Sequence, residues 1–308
     1  MSSSTAPRTT GSPPPAAPRR SLDPTDLGSA QKLMVFVLSM TLFGLANILT
    51  EVLPEVKLGP VELSVSYLAF VPVVMVCLFH PLYAALGAPL GEIVFVDLLM
   101  GDFSGFAELE GYIQLALGLY IAGSLVRDPL RRGRVALAAV VAVGVDKMLG
   151  GIVDIGKVYV GVADAEYVEG LAESVLLLEG VAFSTDLLIS GLLFGALPAA
   201  YLAPRLHGRI EPLLGLAPRD PARPLRLRAR ISARFLLLGV FLTFVAMIAA
   251  FVEELDANFG VWEPGFIDQY GERFLWIGVS AALIVLVAVV LAARASARSR
   301  AARAGAPR

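Results

Sequence analysis

The sequence predicts an all-α, polytopic helical membrane protein, and three observations carry that prediction. The chain has 308 residues, is 56% hydrophobic and has a mean hydropathy of +0.73, which is too apolar for a soluble domain of this size. Its apolar residues fall in long blocks rather than alternating with polar ones. Its arginines and its acids are segregated into alternate loops, as a chain that crosses a bilayer several times requires. The net charge of −2 conceals that segregation.

Taken in order, residues 1–30 are rich in Ser, Thr and Pro and hold no apolar stretch, so they read as a disordered cytoplasmic tail. No apolar h-region precedes Leu33, which argues against a secretory signal peptide. A span needs about 20 apolar residues, fewer when packed inside a bundle. Spans are expected at about 33–53, 63–80, 82–101, 112–126, 135–160, 175–202, 234–252 and 274–293. This gives a six-span core over 31–203, a basic Pro-rich linker over 204–233, a two-span hairpin over 234–293 and a basic tail over 294–308.

Loop charges test the count. Arg8, Arg19, Arg20 and Lys32 precede the first span, and "RDPLRRGR" follows the fourth. The 203–234 connection holds eight arginines, and the C-terminal tail holds Arg294, Arg298, Arg300, Arg303 and Arg308. With eight spans and both termini cytoplasmic, all of these fall on the inner side of a plasma membrane. The opposite loops are acidic, with only Lys57 and Arg273 breaking the pattern. The linker's arginines are the ordinary topology signal and could also touch anionic lipid headgroups. No nucleic acid is expected as a partner.

The fifth span, "VGVDKMLGGIVDIGKVYVG" at its outer part, carries Asp146, Lys147, Asp154 and Lys157. Each such charge at a helix centre costs about 2.5–3.5 kcal/mol on insertion scales. Positions 147 and 154 are nearly eclipsed on a helix, as are 146 and 157, so the span presents two adjacent stripes with one Asp and one Lys each. The third span adds Glu92 and Asp97, and the sixth adds Glu179 and Asp186. Depth pairs Lys147 with Glu92 or Asp186, and Lys157 with Asp97 or Glu179. Asp146 and Lys147 read as a register-setting inner pair. Asp154 and Lys157 read as the place for a ligand.

Interhelical ion pairs alone do not account for the numbers. Six acids face two lysines, so about four carboxylates need protons, water from an outer cavity, or a ligand. That excess favours a cationic or amine-bearing ligand, or a proton-linked step. Gly144, Gly150, Gly151, Gly156 and Gly161 punctuate the fifth span, and Gly191 and Gly195 form a GxxxG in the sixth. These fit close helix packing, or local unwinding that exposes backbone to a substrate. Cys77 is a small packing residue with no disulfide partner. His80 and His207 sit at the cytoplasmic interface, and neither a metal nor a cofactor is expected.

From Leu58 the chain reads "LGPVELSVSYLAFVPVVMVCLFHPLYAALGAPLGEIVFVDLLMG". A short "LGPVELS" loop precedes a helix containing Pro72. A tight turn at His80-Pro81 follows, then a Gly-rich helix with Gly87, Gly91 and the acid Glu92. The pattern resembles the substrate-binding S components of energy-coupling factor (ECF) transporters, over about 30–203. The turn is His-Pro where that family has Gly-Pro, and the first helix lacks a clean small-xxx-small strip.

The resemblance implies a six-helix S-component-like bundle, here with an added C-terminal helix pair. It implies that a vitamin-like nutrient binds near the outer surface, where loops close over it. Carried onto this sequence, the expected binding residues are Glu62, Ser64, Asp97, Asp102, Tyr112, Gln114, Asp154, Lys157, Tyr159 and Glu179. Glu92, Asp146, Lys147 and Asp186 would form a buried charge network. The implied partners are a small-molecule solute, membrane lipids, a shared ECF transmembrane subunit and its ATPases. The chain has no GxxxxGK[ST] phosphate loop of its own.

Three other readings stay open, one of them a non-transporting scaffold whose last two helices bind a partner. An ion- or proton-coupled secondary carrier would use the same excess carboxylates. An aspartyl intramembrane protease would use "GVDK" at 144–147 with Asp186 or Asp97 as the second acid, although its GxGD motif is incomplete here.

Overall fold

The computed structural model describes residues 27–51, 56–58, 61–63, 65–101, 103–105, 107–160, 173–222 and 233–254, with scattered positions between 270 and 291. Helix α1 (Ser29–Glu51) opens with half a capping box: Gly28 N donates to Gln31 Oε1 at 3.0 Å. An antiparallel hairpin of β1 (Val56–Leu58) and β2 (Val61–Leu63) follows, then α2 (Phe70–Leu78), α3 (Pro81–Glu92) and a π-helical turn, π1 (Ile93–Leu98). Helices α4 (Ala107–Leu125) and α5 (Arg132–Val160) come next. Helix α6 (Ser174–Asp186), π2 (Leu187–Ala196) and α7 (Leu197–Leu206) run on as one continuous helix. The short α8 (Ile210–Leu213) and then α9 (Ala233–Glu254) complete the described elements.

Among the described residues, four helices are long and apolar enough to cross a membrane: Ser29–Thr50, Pro81–Leu98, Arg132–Val160 and Ser174–Leu206. Helix α4 has comparable length, but Glu108, Glu110 and Gln114 occupy its first half. The span expected over 63–80 is helical only from Phe70. Proline lacks a donor and biases the preceding residue away from the helix, so Pro72 is tolerated in the first turn of α2 and not further in. Residues 65–68 therefore enter the bundle as irregular backbone. The His80-Pro81 turn behaves as a helix start, with Pro81 in the first turn of α3. Most of the span expected at 274–293 lies outside the described residues.

Close backbone packing joins α1 to α3. A Cβ on Gly87 would strike the Phe36 carbonyl, and one on Gly91 would strike that of Met40. Gly44 in turn leaves room for Phe95 and the Gly91 carbonyl. Ser39 Oγ donates to the Ala84 carbonyl at 2.8 Å across the same seam. In lipid, where apolar surface gives no preference for a partner helix, such contact is a main source of association. The core continues through Phe43, Val73, Leu119, Ala138, Ala139, Ala142 and Val143, all fully buried. Helix α9 packs on α4 and α5.

The linker is partly folded onto the bundle. Arg219 is buried, and its guanidinium donates to the carbonyls of Val76 and Phe79 at 2.5 Å and of Val126 at 2.9 Å. These carbonyls end α2 and α4, where the last turn of a helix leaves its C=O groups without intrahelical donors. Burial pulls the Arg219 pKa down to about 10, so it stays charged at neutral pH. Gln31 Nε2 donates to the Gly215 carbonyl at 2.8 Å, tying the same segment to the start of α1. Glu211 is fully buried and accepts from Gly208 N and pairs with His207 Nδ1, each at 2.8 Å. His207 is thus part of a turn. His80 stacks at a tilt on Tyr83, with ring centroids 4.9 Å apart.

Replacing Arg219 by Met should lower the unfolding free energy in detergent by about 2–4 kcal/mol, because several buried carbonyls lose a charged donor. Arg219→Lys should recover less than half, since one ammonium cannot serve two helix ends. Equal melting of Arg219→Met and the parent chain would contradict this role.

Candidate functional site

A cavity of about 500 Å³ opens between α3, α4, α5 and α6, at the end of the bundle away from the Arg127–Arg134 loop. Its walls carry seven carboxylates: Glu92, Glu108, Glu110, Asp146, Asp154, Glu179 and Asp186. Lys147 is the cation on the wall, and Lys157 reaches two of these acids from the margin. Because α5 rises about 1.5 Å per residue, Asp146 and Asp154 stand about 12 Å apart along the cavity. Glu179 and Asp186 stand about 10 Å apart on α6 by the same reckoning. The cavity therefore has an inner floor and an outer mouth.

At the floor, the irregular segment before α2 supplies two hydroxyls. Tyr67 Oη donates to Asp146 Oδ2 at 3.0 Å, and Ser66 Oγ makes a short hydrogen bond to Asp186 Oδ1. Ser66 N donates to Ser190 Oγ at 3.1 Å, which ties this segment to π2. Non-helical backbone at depth is tolerated where it lines a cavity and finds such partners. The Tyr67 ring stands edge-on to Phe43, with centroids 5.7 Å apart, and Lys147 Nζ lies 5.6 Å from its centroid. Lys147 joins no ion pair among the described residues. Glu92 completes the floor from α3, with the buried Asn47 of α1 beside it. Glu92 ends α3 where π1 begins, and Asp186 ends α6 where π2 begins. Such π turns are frequent at functional sites.

At the mouth, Lys157 Nζ lies 3.7 Å from Glu110 Oε2 and 3.6 Å from Asp154 Oδ1. The Glu110 side chain is 10% exposed and that of Asp154 is 47%, so Glu110 is the pairing that matters energetically. Gln114 Nε2 donates to Glu110 Oε1 at 2.7 Å. Glu108 accepts from Ser104 N and Oγ, at 3.2 and 2.9 Å. Glu179 accepts no hydrogen bond and joins no ion pair among the described residues.

The glycine pair in α5 shapes this space. A Cβ on Gly150 would come 3.3 Å from Gln114 Oε1, and one on Gly151 would come 3.1 Å from Glu179 Oε2. Helix α5 stays helical through both. The two glycines make room for polar side chains from α4 and α6, rather than unwinding.

Of the residues expected from sequence, Glu92, Tyr112, Gln114, Asp146, Lys147, Asp154, Glu179 and Asp186 line this one cavity. Depth suggested Asp97 or Glu179 for Lys157, and among the described residues it lies within ion-pair distance of Glu110 and Asp154. Asp97 lies in π1 and is not on the wall, and Tyr159 is 53% exposed near the end of α5. Glu62 is on β2, with its side chain outside the described residues, as are Ser64 and Asp102 altogether. Ser66, Tyr67, Glu108 and Glu110 line the cavity in addition to the residues expected from sequence. Among the described residues no three His, Cys, Asp or Glu side chains converge closely enough to hold a metal ion.

A family profile described as "Family of unknown function (DUF8171)" matches residues 34–302. The chain belongs to this family. The DUF8171 match runs from α1 through the cavity helices, the linker and α9. No curated protein and no solved structure matches the chain.

In a double-mutant cycle on melting free energies, Lys157 and Glu110 should couple by about 1–2 kcal/mol, and Lys157 and Asp154 by less than about 0.5 kcal/mol. The reverse order would place the buried partner of Lys157 wrongly.

Proposed function

We propose that this protein binds a small nutrient or vitamin-like solute within the membrane and serves its uptake, as a substrate-specificity subunit of ECF type. The observation that carries the reading is the cavity, whose wall brings residues from four helices to one polar space of a size suited to a small molecule. Ionisable groups inside a membrane bundle usually mark a substrate or ion pathway. In this reading the chain has eight spans with both termini cytoplasmic. Its Arg-rich loops then lie inside the plasma membrane, and the cavity mouth opens outside. The six-span core holds the solute, and the final pair flanks it through the packing of α9 on α4 and α5. The chain does no covalent chemistry, and its partners are an ECF transmembrane subunit with ATPases.

The excess of seven wall carboxylates over two nearby lysines favours one further reading, a proton-coupled carrier. The two are told apart by energy source: ATP depletion stops the first, and a protonophore stops the second. An aspartyl protease finds less support. Asp146 and Asp186 are engaged separately, by Tyr67 and Ser66, and no hydrogen bond joins two carboxylates among the described residues.

Purified protein in nanodiscs should bind a small solute saturably in a metabolite screen by thermal shift. Glu92→Gln should weaken that binding at least tenfold without lowering the melting temperature of the empty protein. A screen across charged, neutral and zwitterionic metabolites that finds no ligand overturns the proposal.

A further inference from the structure

The cavity's charges say which kind of solute suits it, and this step rests on the solute-binding reading above. At the floor, Glu92, Asp146 and Asp186 face one ammonium, that of Lys147. At the mouth, Glu108, Glu110, Asp154 and Glu179 face one, that of Lys157. Hydrogen bonds from Tyr67, Ser66, Ser104 and Gln114 ease the desolvation of four of these acids but supply no charge. Both ends of the space thus retain negative charge after every described protein cation is counted. Water or protons can offset it when the cavity is empty. A ligand that displaces the water has to bring cations of its own.

Lys147 is a second, independent observation, and it is not an acid. Its ammonium lies deep in the bundle, borders the cavity and forms no ion pair among the described residues. It stands over the Tyr67 ring, with carboxylates around it but none bonded to it. The walls therefore already hold one amine by an aromatic face and a diffuse ring of carboxylates, the arrangement that suits alkylammonium groups. The outer station has an anchor left open. Glu179 has no donor among the described residues, and Gly151 is what lets its carboxylate lie against α5.

We propose that the solute is an elongated organic cation with two amine or guanidinium groups. One is held at the mouth by Glu179 and Asp154, and the other at the floor by Glu92 and Asp186. The axial rise places these stations about 10 Å apart. The spread of the carboxylates along the cavity, with no three converging on one point among the described residues, matches an extended ligand rather than a compact ion. Glu179 is then the residue that sets charge selectivity, and Gly151 positions it.

The test uses the full chain in nanodiscs and a series of α,ω-diamines: diaminobutane, diaminohexane, diaminooctane and diaminodecane. Hexylamine, adipate and hexanediol serve as controls of equal reach. Isothermal titration should show saturable diamine binding that peaks within the series. Hexylamine should bind at least tenfold more weakly, and adipate and hexanediol should not bind. Glu179→Gln should cost diamine affinity at least tenfold while leaving hexylamine within about threefold, which a general loss of folding would not produce. Gly151→Ala should do the same to a smaller degree, with unchanged melting temperatures of both variants as the folding control. Diamine binding without length dependence, or equal to hexylamine, overturns the two-station proposal. Saturable binding of a neutral or anionic metabolite, blocked by Glu92→Gln, overturns the dication and keeps the solute-binding reading. A chain that binds neither diamines nor any screened metabolite overturns both.

Discussion

A carboxylate taken out of water must be met by a cation, a hydrogen-bond donor, a proton or retained water, and this requirement organises the bundle. Seven carboxylates border one cavity, and among the described residues two lysines answer them. The donors nearest at hand come from side chains that an ordinary packed span would not provide. Tyr67 and Ser66 reach the floor acids because the chain before α2 is not helical. Gln114 reaches Glu110 one turn along α4. What these donors leave over, among the described residues, is an excess of carboxylates over lysines around a space of about 500 Å³, and the functional reading follows from that remainder.

The backbone is arranged to make the remainder possible. On the α1–α3 seam, glycines bring the two helices into direct backbone contact, and Arg219 draws the ends of α2 and α4 together. Around the cavity, the glycine pair at 150 and 151 does the opposite and opens space for Gln114 and Glu179. The π turns start directly after Glu92 and Asp186, shifting the helix register beyond each acid. One set of small residues closes the seam between α1 and α3, and another keeps space for the cavity between α4, α5 and α6.

Much of this is written in the sequence, and what is not has identifiable causes. Helices α1, α3, α5 and α6 follow their apolar runs within a few residues, because length and hydropathy suffice to define them. The α5 charges belong to a shared cavity with Glu92, Glu179 and Asp186, as helical spacing and depth suggest. The partner of Lys157 was harder to see. Glu110 looks like a loop residue when apolar counting starts a span at Tyr112, yet α4 begins at Ala107 and carries Glu110 inward. The i, i+4 spacing of Glu110 and Gln114 was the available signal. Pro72 was the signal that α2 starts late, outweighed by the long apolar run around it. Arg219 left no signal, because one arginine among eight in a basic linker looks the same whether it faces solvent or two helix ends.

The central claim is that these carboxylates border a hydrated, negatively charged space reached from the side opposite the Arg-rich loops. Ala182 lines the cavity and is exposed, and Cys77, the chain's single cysteine, is buried. The direct measurement is the modification rate of Ala182→Cys in sealed vesicles of each orientation, with membrane-impermeant thiosulfonates of positive and negative charge. The account predicts reaction from the outer face only, at least tenfold faster with the cationic reagent, while Arg131→Cys reacts only from the inner face. Modification of Ala182→Cys from the inner face, or equal rates with both reagents, would contradict it.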